Sequence, residues 1–73
     1  MSLPRPQSDY DTMLCDRLDR GEDLADALRA MHKDDDVGMM FLWRAVQAVR
    51  QIPRRDAMRT TVRAINVLYP DRF

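Results

Sequence analysis

Three groups of residues in this chain could do chemistry: the run Asp34, Asp35 and Asp36; the pair Cys15 and His32; and the arginines of the C-terminal third. Consecutive carboxylates suggest a hard cation. A helix-flanked calcium loop, however, spreads its oxygen ligands over about twelve residues, with a glycine at the sixth and a glutamate at the last. Here the sixth place from Asp34 is Met39, and no glutamate follows Glu22. The metal reading fails on spacing. The same three acids suit a helix start, where a side-chain oxygen caps free backbone N–H groups and negative charge is favoured.

A thiol and an imidazole could form a cysteine nucleophile with its base, and Cys15 and His32 are the only residues of their types in the chain. Cys15 falls at the edge of an apolar helical face, outside any sharp nucleophile turn, and His32 falls near a helix end where it reads as solvated. With only two glycines in the chain there is no phosphate-cradling loop. No catalytic residue, metal or cofactor is expected, so the chain reads as non-enzymatic.

The arginines are the strongest polar feature. Arg55, Arg59 and Arg63 recur every four residues, and Arg50 and Arg54 sit at the corner before them. Guanidinium forks suit phosphate, and phosphate contacts dominate nucleic-acid affinity. A helix-turn-helix at the Gly21 corner would lead its reading helix with Glu22, Asp23 and Asp26, which repel a phosphate backbone. The Pro53 corner is better, because the helix after it offers Arg54, Arg55, Arg59 and Asn66 for groove contacts, although the helix before it is unusually apolar for that motif. A DNA-binding transcriptional regulator or antitoxin-like protein using this basic helix is therefore the alternative reading.

The elements that must position these groups follow from periodicity. Residues 1–7, with Pro4 and Pro6, read as a flexible arm, residues 8–70 as one helical domain, and residues 71–73 as a short tail. Ser8 or Asp9 can cap a first helix near residues 9–20, with Tyr10, Met13, Leu14 and Leu18 on its apolar face and Gly21 as its left-handed stop. Asp23 caps a second, near 22–33, with Leu24, Ala27, Leu28 and Met31 inward. A third, near 35–51, is apolar around most of its circumference, and Gly38 within its first turn suggests close approach of another backbone. Pro53 opens a fourth, near 54–69, with Met58, Val62, Ile65 and Tyr69 on one face and Ala57, Thr61, Ala64 and Leu68 beside it. The expected fold is all-α, a compact bundle of about four short helices with the third central.

Size and charge bear on partners. A chain of 73 residues buries only roughly 60% of the surface its unfolded state exposes, so its core alone is marginal. One cysteine excludes an intramolecular disulfide staple and points to a reducing compartment. The opening residues, MSLPRPQS, lack the order of a secretory signal, and no apolar run is long enough to span a bilayer; a cytoplasmic protein is expected, with no membrane partner. Net charge is zero, yet residues 1–43 carry ten acids against five basic residues and residues 44–73 carry seven arginines against two acids.

A small fold with so apolar a third helix should leave part of it uncovered. Met39, Trp43 and Val46, with Arg44 beside the tryptophan, are the expected partner-binding residues. The leading reading is a small regulatory or adaptor protein acting by association with another protein, either as a homo-oligomer (a homodimer foremost) or on a larger heteromeric target.

Overall fold

The computed structural model describes residues 5–67. Among them the chain forms four helices and no strand: α1 (Gln7–Asp19), α2 (Leu24–Asp34), α3 (Met39–Arg50) and α4 (Arg54–Asn66). The Cα radius of gyration is 11.7 Å, close to the roughly 11 Å expected of a folded chain of this length. Expected positions in the arm before Arg5 and beyond Val67, including Leu68, Tyr69, Pro70 and the tail, lie outside the described residues.

Helix α1 starts two residues earlier than its capping pattern suggests, because the Pro6 carbonyl accepts the Asp9 N–H at 3.0 Å and Pro6 itself is the N-cap. Its end is the one read from Gly21. That glycine adopts φ 93°, its N–H returns to the Leu18 carbonyl at 3.0 Å, and the Glu22 N–H reaches the Arg17 carbonyl at 3.1 Å. This paired closure satisfies two carbonyls that the helix end would otherwise leave open. A Cβ at Gly21 would meet nothing, so the constraint is the backbone angle alone. Gly21→Ala should therefore cost about 1–2 kcal/mol, read as a lowered urea midpoint with an unchanged slope.

Helix α2 begins as expected, with the Asp23 side chain accepting the Ala25 N–H at 3.1 Å. Its far end overturns the reading of the acid run. Asp34 is the last residue of α2 and Asp35 its C-cap, while Asp36 takes the left-handed conformation at φ 55°. The Met31 carbonyl accepts both the Asp35 and the Val37 N–H at 3.2 Å, and the His32 ring nitrogen Nδ1 lies 2.9 Å from the Val37 carbonyl. Val37, only 1% exposed, is thereby pinned into the core as part of a turn. The three acids end one helix instead of starting the next, since aspartate is among the few residues that tolerate a left-handed turn. His32 is accordingly a turn-closing residue.

Helix α3 is shorter than its apolar run, and Gly38 is its N-cap at φ −69°, φ that any residue adopts. A Cβ there would lie 3.7 Å from the Phe41 ring, an ordinary contact, so the glycine is not required for close backbone approach. Gln51, left-handed at φ 54°, stops α3, and Pro53 caps α4 one place before the position expected for it.

The core takes Leu14 from α1, Ala27, Leu28 and Met31 from α2, Val37 from the turn, Leu42, Ala45 and Val46 from α3, and Ala57, Ala64 and Ile65 from α4. Helix α3 is central: it packs extensively on α1 and α4, whereas α2 packs mainly on α4. The Tyr10 and Phe41 rings meet at 4.9 Å, and the Gln7 side chain donates to the Phe41 carbonyl at 3.0 Å, tying α1 to one flank of α3. The two turns are held together by Arg17, whose guanidinium lies 3.0 Å from Glu22 and 3.6 Å from Asp35. On the other side, Arg29 pairs with Asp26 and donates to the Ala64 carbonyl near the end of α4 at 3.4 Å.

Helix α4 turns a different face inward from the one its larger residues predict. Ala57 and Thr61 are fully buried and Ala64 is 3% exposed, whereas Met58 is 40% and Val62 43% exposed. Small side chains let two helix axes approach toward the short end of the usual 8–10 Å, so the smaller row turns inward; of the larger row Ile65 stays buried while Met58 and Val62 face out. Thr61 is tolerated in the core because its hydroxyl donates to the Ala57 carbonyl one turn back, at 2.9 Å.

Candidate association surface

The residues expected to bind a partner do not stay together. Val46 is fully buried, so it belongs to the core and is withdrawn from the surface set: the helical position that joins Met39 and Trp43 on a wheel is the one α3 presses against its neighbours. Met39 and Trp43 are half-buried and pack against the core from its edge. Arg44 is exposed, with its guanidinium carbon 5.6 Å from the Trp43 ring centroid, within reach of a cation–π contact. Of this group, the structure keeps Trp43 and Arg44 together and leaves Met39 at the margin.

The other helices also cover α3 better than its composition implies. Its only exposed large apolar side chain is Met40, at 53%, because α1 takes the Phe41 flank and α4 packs along the helix as well. The remaining exposed large apolar residues among those described are Met58, Val62 and Val67, all in or just after α4. Met58 and Val62 stand one turn apart and so share a line on the outer side of that helix. Periodicity gives α4 two adjoining apolar rows without choosing between them; the row of small residues at 57, 61 and 64 is the one the fold buries.

All five arginines proposed for nucleic acid, Arg50, Arg54, Arg55, Arg59 and Arg63, are exposed. Arg55, Arg59 and Arg63 form one row by their four-residue spacing, adjacent to the Met58–Val62 line on the helix surface. Arg50 and Arg54 flank the Gln51–Pro53 turn. Every ion pair among the described residues uses Arg17 or Arg29, so none of these five has a carboxylate partner there. Asp56 is the one acid within α4.

Cys15 and His32, the residues weighed for nucleophilic chemistry, each hold a local contact. Cys15 is exposed on α1 with its thiol 3.9 Å from an Asp19 oxygen, and His32 serves the turn at Val37. No group of three or more His, Cys, Asp or Glu side chains there could hold a metal ion. No helix among the described residues is long and apolar enough to cross a membrane. What stands out is a surface on α4 where an apolar line and a cationic line run side by side. No protein-family model, curated protein or solved structure matches the chain.

Proposed function

We propose that this is a small non-enzymatic regulatory or adaptor module, cytoplasmic on the strength of its lone thiol, that acts by binding another protein through exposed apolar side chains of its α3–α4 half. The supporting observation is their distribution. The four helices close a core, yet Met40, Met58 and Val62 remain 53%, 40% and 43% exposed, and every exposed large apolar residue described lies beyond residue 39. Met58 and Val62, one turn apart on the same line of α4, form a continuous exposed apolar strip, and such a strip marks contact with a partner more than single scattered side chains do.

A second reading, nucleic-acid binding, is favoured by one specific observation: Arg50, Arg54, Arg55, Arg59 and Arg63 are exposed and carry no ion pair among the described residues. The two readings differ in salt response. Five phosphate contacts imply a slope of about −4.5 in log K against log salt, a loss of about 500-fold between about 50 and 200 mM salt. Light scattering over a concentration series, with and without duplex DNA at both salt levels, separates them. A chain that ignores DNA, and either self-associates or stays monomeric, supports a protein partner. A duplex complex with that slope reverses the ranking.

A further inference from the structure

We propose that the occupant of the outer face of α4 is an acidic amphipathic helix of another protein, laid along Met58 and Val62 with its carboxylates on Arg55, Arg59 and Arg63. The inference rests on the protein-association reading and names the chemistry of the partner. Its basis is the pairing of two rows with the same pitch. Met58 and Val62 repeat at four residues, as do Arg55, Arg59 and Arg63, and all five side chains are exposed. A helix with an apolar line and a carboxylate line at the same spacing matches both at once.

A second copy of this chain is a poorer occupant. Two α4 helices paired antiparallel over Met58 and Val62 would bring both arginine rows to one edge, three like charges from each copy, and a parallel pair would give those rows no opposing carboxylate. The acidic part of the molecule, residues 1–43, has the carboxylates, but its one exposed large apolar side chain among the described residues is Met40. Neither face of the chain offers both features in register. Nucleic acid would use the arginines and leave Met58 and Val62 beside a polar backbone, which gives no reason for their exposure.

The test is a titration of the isotope-labelled full chain, followed residue by residue by amide chemical shifts. The probe is a synthetic helical peptide of about 18 residues, five turns, bearing leucine and glutamate lines at four-residue spacing. Controls are its lysine-for-glutamate counterpart, a scrambled peptide of equal composition, and a short DNA duplex. The expected result is saturable binding of the acidic peptide alone, with shifts concentrated over residues 55–66. Met58→Ser with Val62→Ser and, separately, Arg55→Glu with Arg59→Glu should each weaken it about tenfold or more, while both variants keep the parent's melting temperature. Equal binding of the scrambled peptide, an unaffected Met58→Ser/Val62→Ser variant, or no binding at millimolar peptide overturns the inference. Peptide shifts centred on Met40 and Trp43 would overturn the α4 site alone and leave the association reading standing. Shifts in α4 with DNA and none with peptide would overturn both.

Discussion

Leu42→Ala is expected to unfold the protein at or near physiological temperature. Leu42 is fully buried in the first turn of α3, the helix that α1 and α4 both pack against, so the cavity it would leave is enclosed by elements that cannot collapse independently. Leucine-to-alanine changes in such places cost about 2–5 kcal/mol, the spread being set by how far the surroundings relax. A helical domain of this size without disulfides has about 3–5 kcal/mol in total, so the substitution removes most of it. In thermal melts followed by circular dichroism, each kcal/mol should appear as about 4–8 °C, giving a loss of about 8 °C at the least. Met40→Ala, two residues away and mostly in solvent, is the control. It should change stability by less than about 0.5 kcal/mol. Equal melting temperatures for the two variants would contradict the assignment of the core.

The second large effect is expected at Ala57. On the pattern of large apolar residues alone, Ala57 sits beside the buried face of α4 and a leucine there would be harmless or stabilising. In the structure Ala57 is fully buried and belongs to the small row with Thr61 and Ala64 that brings α4 against the rest of the bundle. Adding three carbons to this closed contact forces a strained rotamer or displaces the helix, at about 1–3 kcal/mol or more. Ala57→Leu should therefore lower the urea midpoint clearly. Met58→Ser, one residue along and 40% exposed, should scarcely move it. Thr61→Val is an internal check, because the Ala57 carbonyl to which Thr61 bonds already accepts a helical N–H. Losing that hydroxyl should be close to neutral. A stabilised Ala57→Leu together with a destabilised Met58→Ser would mean that α4 is rotated and that Met58 and Val62 are core.

Both outcomes bear on binding as well as stability, since they decide which side chains are free for a partner. The arginines of α4 can meet an external anion because nothing in the described fold neutralises them. Arg17 and Arg29, in contrast, are engaged: Arg17 links the two turns through Glu22 and Asp35, and Arg29 reaches Asp26 and the last turn of α4. The structure thus separates arginines held in the bundle from arginines left in water.

Local features of the fold were legible in the amino-acid order. Four helices, the left-handed stop at Gly21 and the cap at Asp23 depend on backbone angles and hydrogen bonds within a few residues, and those interactions are present wherever such residue types meet. The run Asp34 to Asp36 was likewise legible as a helix boundary, because acids beside a helix end are a local signal. The same acids could be assigned to the start of α3 or the end of α2, since aspartate serves both a helix cap and a left-handed turn. Only the burial of Val37, held by Met31 and His32, decided for the second. Val46 was read as a partner contact and is core, and of the two adjoining apolar rows read on α4 the smaller one is buried while Met58 and Val62 are exposed, for one common reason. Helical periodicity tells which residues share a face, but the face turned inward is chosen by how closely neighbouring helices approach, and on α4 that favoured Ala57, Thr61 and Ala64 over their larger neighbours.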